Sequence, residues 1–223
     1  MPLQNRVMPT GEIVAACGRG LFLGNRGLLH DEKKRLGQRR WAQKAWLICK
    51  LNFKGRRRAV MTPRRYTELF FLDEAVAIAA GHRPCYECRR SEFRLWQAAW
   101  RDAKGLRELP RAPEIDACLH KERILSQSRT QRVWNADCAD MPDGTLILHE
   151  GEPHVVLTVG LRGWSWQGYG ALVARPRGTT VVLTPPSSVA ALRAGYRPVL
   201  HPSVSYQHDI PMKNIPVKPQ HLV

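Results

Sequence analysis

Apolar and polar positions along the chain change texture twice. The first stretch, GEIVAA followed by GRGLFLGNRG, has strand-like apolar pairs broken by glycines. It predicts a short strand near residue 12, then a glycine-rich hairpin or loop over 18–27. The charged run DEKKRLGQRRWAQKA, 31–45, predicts a short helix capped by Asp31. AWLICKLNF is rich in strand formers, KGRRR makes a turn, and AVM resumes the apolar pattern, so 46–61 reads as a β-hairpin with a basic tip. YTELFF predicts a strand ending near Leu72. Asp73 is placed to cap a helix through Ala80, and Gly81 to end it. In RRSEFRLWQAAWRDAKG, Phe93, Trp96 and Trp100 recur at helical spacing, which marks a core face rather than a base-stacking platform. A second helix begins near Glu114 after proline punctuation.

From about residue 140 the period shortens. TLILHE, HVVLTV, GWSWQGYG and TTVVLTPP are short strands separated by Gly or Pro, the pattern of a small antiparallel meander or barrel. The fold class expected is α+β, with an α/β module over 1–135, a small antiparallel β module over 140–202 and an extended tail over 203–223. AAGHRPCYEC at 79–88 echoes RAGYRPVLHP at 193–202. The shared feature is a helix-exit turn with glycine in the left-handed conformation, not a repeat.

Charge sharpens this picture. The 223 residues carry 35 Lys and Arg against 19 Asp and Glu, a net +16. Residues 1–111 hold 24 basic and 10 acidic side chains, a net +14, and the remainder only +2. A basic half implies an anionic partner, of which nucleic acid is the commonest. Arg56, Arg57 and Arg58 at the hairpin tip, with Arg64, Arg65, Arg89 and Arg90, are the candidate phosphate contacts. Trp41 and Trp46 are possible stacking groups, with core packing the competing role. The glycine-rich loop, with Arg19 and Arg26, would suit phosphate but lacks a P-loop ending, so a structural turn serves as well. No stretch resembles a secretory signal or a membrane span, which implies a cytoplasmic location and six cysteines present as thiols or metal ligands.

Chemistry concentrates at AGHRPCYECRR. Cys85 and Cys88 form half of a tetrahedral Zn2+ site. Candidates to complete it are Cys49, then His30, then His120. Cys17 is a further option, His82 is too close to Cys85 for easy chelation, and Cys138 reads as a passive thiol. A buried apolar role for Cys49 and a redox role for the Cys-x-x-Cys turn remain open alternatives. In APEIDACLHKER, Asp116 and His120 stand four residues apart, so Asp116 could orient the imidazole as a general base. A polar contact is the competing role. No complete catalytic motif surrounds them, and no His-x-Glu precedes the cysteines as a zinc deaminase would require.

The stretch YTELFFLDEAVAIAAGHRPCYECRR, 66–90, resembles the amino-terminal metal-binding domain of the Ada-type methyl-phosphotriester repair proteins. The resemblance implies that Cys85 and Cys88 match that family's second zinc-binding pair, in a DNA-directed and repair-related setting. The family's preceding Cys-x-x-x-Cys pair has no counterpart, since AVMTPRRYTE stands in its place. The methyl-accepting cysteine, and with it the repair activity, therefore does not carry over. Over its length the chain also resembles uncharacterised bacterial proteins that open on LQNRV and end near AGYRPVLHPS. The expected function is a zinc-stabilised, nucleic-acid-binding protein directed at DNA; the rivals are a nuclease or repair enzyme and a protein-interaction adaptor.

Overall fold

The computed structural model describes residues 1–55, 59–125 and 130–205. The fold is α+β, built on two six-stranded sheets. The first contains β1 (Gln4–Val7), β2 (Ile13–Ala15), β3 (Phe22–Asn25), β4 (Leu47–Lys50), β5 (Leu69–Phe71) and β6 (Arg83–Pro84), in the order β2-β1-β5-β3-β4-β6. The β1–β5 and β4–β6 pairs are parallel and the others antiparallel. Helix α1 (Glu74–Ala79) lies between β5 and β6, and α2 (Arg90–Lys104) and α3 (Ala112–Arg123) follow β6. The second sheet is antiparallel throughout: β7 (Trp134–Asp137), β8 (Leu146–His149), β9 (Glu152–Leu157), β10 (Gly160–Ser165), β11 (Gly168–Val173) and β12 (Thr179–Val182), in the order β11-β10-β9-β8-β12-β7. Helix α4 (Pro186–Arg193) packs on α2 and α3.

Several expectations hold for local reasons. Asp73 Oδ1 accepts from Val76 N at 2.9 Å and caps α1. Gly81, at φ +82°, ends it, with Gly81 N donating to Ile78 O and His82 N to Ala77 O. The echo closes α4 in the same way: Gly195 at φ +106°, with Gly195 N on Leu192 O and Tyr196 N on Ala191 O. Phe93, Trp96 and Trp100 are buried on one face of α2, and Trp96 meets Tyr196 edge-on at 4.9 Å.

Other expectations are corrected. The glycine-rich segment is not a loop: β3 lies inside the sheet between β5 and β4. Gly24 permits this, because a β-carbon there would come 2.8 Å from the Phe71 ring. The hairpin over 46–61 does not form. β4 pairs upstream with β3 and downstream with β6, and residues 59–61 form no strand. Residues 31–45 contain no helix. Asp31 Oδ1 accepts from Lys33 N and Arg35 N, both at 2.9 Å, which closes a turn that competes with helix, and Lys34 sits at φ +60°. GWSWQGYG is the turn of the β10–β11 hairpin rather than one strand, and β12 leaves the meander to lie between β8 and β7. Pro202–Ser205 is a 3-10 turn held on β11 by Tyr169 N donating to Ser203 Oγ at 2.8 Å, and the rest of the expected tail, 206–223, lies outside the described residues.

The expected break at 135–140 does not fall between the sheets, because β7 begins at Trp134 and already belongs to the second one, and the two sheets share a core. One apolar cluster runs from Val7 through Trp96 to Leu192 and Tyr196. A smaller one around Cys138, Ile147 and Val189 belongs to the second sheet and α4. Polar contacts tie the same halves at the start of α1. Tyr169 Oη donates to Asp73 Oδ2 at 2.8 Å, Tyr196 Oη to Glu74 Oε1 at 2.5 Å, and Val199 N to Glu74 Oε2 at 3.0 Å.

Candidate metal centre and basic pocket

The parallel pairing of β4 with β6 sets Leu47 beside Arg83 and Ile48 beside Pro84. The next step along that register brings Cys49 to Cys85, whose N–H donates to Ile48 O at 2.9 Å. The chain then turns, with Arg89 N on Cys85 O, and returns Cys88 to the same point before α2 starts. The three sulfurs lie within 4.8 Å of one another. Thiolates around one tetrahedral zinc stand about 3.8 Å apart, so the cluster needs little adjustment to hold an ion. Hydrogen bonds from the Cys49 and Cys88 thiols hold the Cys85 thiol far below its usual range, assisted by the backbone amides of Cys88 and Glu87. Cys49 is driven in the opposite direction by Cys85, Cys88 and burial. Three thiols this close cannot all ionise unaided, because neighbouring thiolates repel. Ionising all three requires a cation between them, and the donor set suits a metal ion.

The other proposed ligands lie elsewhere. His30 is bonded through Nδ1 to Thr67 Oγ1 at 2.7 Å and through Nε2 to Thr62 O at 3.3 Å, because its loop is held by the segment ahead of β5. His120 is on α3 against Trp41, Cys17 is exposed, and Cys138 is in the second core. Among the described residues no fourth Cys, His, Asp or Glu joins the three thiols.

Asp116 and His120 do not form a pair. Asp116 is buried and takes two hydrogen bonds from Arg83, at 2.8 Å from Nε and 2.7 Å from Nη2. One turn further along α3, His120 lies edge-on to Trp41 at 5.9 Å, and its Nδ1 is 3.4 Å from Arg123 Nη2. Burial, then Arg123 and Lys44, lower its proton affinity. Arg83 has claimed the carboxylate that the imidazole would need.

Of the candidate phosphate contacts, Arg64 and Arg65 are exposed and pair with no carboxylate among the described residues. Arg90 is exposed and donates to Tyr86 Oη at 3.0 Å. Arg56, Arg57 and Arg58 lie outside the described residues. Arg89 is corrected: it is 1% exposed, with Nη1 2.8 Å from Glu74 Oε1 and Nη2 2.9 Å from Glu74 Oε2. It is a core ion pair and cannot meet phosphate.

A second constellation has no clear signature in residue type or spacing. Arg26 and Arg123 are both buried, and their guanidinium carbons lie 4.0 and 3.8 Å from the Trp46 ring centroid. Arg26 Nη1 donates to Gly11 O at 3.0 Å and its Nε to His82 Nε2 at 3.3 Å. His82 is held neutral, far below its usual pKa, by burial and by the two arginines, and its other nitrogen meets Ala77 O at 3.2 Å. Arg123 donates to Gly81 O and Lys44 O, each at 2.6 Å. Asp116, whose charge is felt at Arg123, is already bound to Arg83. Burial, then Arg40, pushes Arg26 down to about 9, and burial and Arg26 lower Arg123. A buried charge without a counter-ion costs several kcal/mol, and here two such charges repel each other. Only Arg26, in the glycine-rich segment, had a visible link to anion binding in the sequence.

Comparison of the chain with protein-family models, curated proteins and solved structures finds no match. Among the described residues no helix is long and apolar enough to cross a membrane.

Proposed function

We propose that the protein binds nucleic acid, with DNA as its target, and that a Zn2+ ion held by Cys49, Cys85 and Cys88 staples the binding face. The carrying observation is a set of exposed, carboxylate-free cations: Arg90, two residues after Cys88 at the start of α2, and Arg64 and Arg65 just ahead of Tyr66 and Glu68, which share a cleft with the three cysteines. Lys50 follows Cys49 directly and is exposed as well. Fixing β4 to the turn before α2 would fix the spacing of these charges against a phosphate backbone. The DNA direction rests on the resemblance of 66–90 to the Ada-type domain. The nuclease or repair-enzyme alternative loses its best catalytic pair, since Asp116 is bound to Arg83.

The test is binding of duplex DNA over a range of salt. Affinity should fall steeply, and the triple change Arg64→Ala, Arg65→Ala, Arg90→Ala should flatten the log–log slope by roughly one unit per lost phosphate contact. An unchanged slope in a folded variant would assign those arginines to a solvated surface.

A further inference from the structure

Four buried polar atoms without a hydrogen-bond partner among the described residues belong to side chains lining one cavity: Thr10 Oγ1, Arg26 Nη2, Arg123 Nε and Gln131 Oε1. The cavity holds about 580 Å³, between β2, the Trp46 segment and the end of α3. Buried polar groups are nearly always satisfied, so four in the walls of one space, each closed to water in the empty cavity, indicate a partner that a small shift of those walls would admit. Their chemistry is mixed. The arginines offer N–H donors and two positive charges. The Gln131 amide nitrogen is held by Ala79 O and Leu183 O, both at 2.8 Å, which leaves its oxygen as an acceptor. Arg40 and Trp41 border both this cavity and an adjoining recess of about 430 Å³ that also contains Arg39, Lys44 and His120. The way in is therefore basic, and a half-buried indole stands at the junction.

We propose that this cavity is a binding site for a nucleoside monophosphate, either free or as the 5′-phosphorylated end of a strand. The phosphate meets the Arg26 and Arg123 side of the cavity, and the base lies by Trp41. Two buried guanidiniums without a counter-ion match a dianion. The volume exceeds what a bare phosphate needs and falls in the range of small-ligand pockets. Apolar walls from Ile13, Leu148 and Leu183, together with the indole, suit a planar ring. The site is independent of the surface arginines, since none of Arg64, Arg65 or Arg90 lines it.

The experiment titrates the full chain with AMP, GMP, adenosine, inorganic phosphate and an oligonucleotide with or without a 5′-phosphate, read by tryptophan fluorescence and calorimetry. A nucleoside monophosphate should bind at one site at least tenfold more tightly than adenosine. If a strand end is the occupant, the 5′-phosphorylated oligonucleotide should exceed its 5′-hydroxyl twin by the same factor; if the free nucleotide is, the twins should bind alike. Arg26→Lys should weaken the phosphate-dependent binding at least tenfold. Should that variant not fold, Val14→Trp, which fills the cavity from β2, and Arg40→Ala at its mouth decide the matter, each with an expected loss of at least fivefold. Absence of phosphate-dependent binding at millimolar ligand overturns the site, as does binding unchanged in both Val14→Trp and Arg40→Ala. Salt-dependent retention of the 5′-hydroxyl strand in that case leaves the surface reading intact while removing this one.

Discussion

Replacing Cys49 with alanine separates a metal ligand from a passive thiol. The side chain is half-buried on β4, so its loss as packing alone costs about 1 kcal/mol, the same with or without metal. As a ligand it does more. Cys85 and Cys88 come from a single turn, and only Cys49 links that turn through the ion to the neighbouring strand. An ion present at about 1,000 times its Kd stabilises the native state by about 4 kcal/mol. For a chain of this size each kcal/mol moves the melting temperature by about 2–4 °C, so a chelator should lower wild-type Tm by about 8–16 °C. In Cys49→Ala two thiolates remain, the ion is held orders of magnitude less tightly, and the chelator shift should shrink to about 3 °C or less. Metal content by mass spectrometry after desalting, with melting by circular dichroism before and after chelation, measures both quantities. Cys17→Ala, at an exposed thiol outside the cluster, is the control. A chelator shift as large in Cys49→Ala as in wild type would refute the three-thiolate site. So would wild-type protein that carries no metal and does not respond to the chelator.

Asp116→Ala should destabilise the fold by about 3–5 kcal/mol, because it leaves the Arg83 guanidinium buried and unpaired; a loss below about 1 kcal/mol in denaturant unfolding would show that the pair is not structural. Burial, the largest influence on the Asp73 carboxyl, raises it from 3.8 to about 6 in the folded state. Its contribution to stability is therefore fully present below pH 3.8 and is lost as pH rises through about 6. Asp73→Asn keeps a helix-capping oxygen, so the stability of wild type relative to this variant should be greater at pH 4 than at pH 7, by about 2–3 kcal/mol; a difference of the opposite sign would contradict the buried, proton-retaining carboxyl.

What could be read from the sequence was what neighbours in the chain decide. The Asp73 cap, the Gly81 exit and the Phe93–Trp96–Trp100 face depend on contacts a few residues apart, and residue type with spacing carries that information. The Cys85–Cys88 turn is local in the same sense. The third thiol could be ranked but not fixed, because Cys49 reaches the turn only through the parallel β4–β6 pairing, 36 residues along. Arg89 and Arg90 are indistinguishable as a sequence pair, yet one faces Glu74 in the core and the other faces solvent. The i, i+4 spacing of Asp116 and His120 was real, but a third residue, Arg83 on another element, determined what the carboxylate does. The basic cavity lies furthest from what a sequence shows: Arg26 and Arg123 are brought over one indole by a strand and a helix that meet only in the folded chain. Local chemistry thus set the caps, turns and helical faces, whereas long-range packing chose which charges are buried, since the cost of burying a charge depends on every group around it.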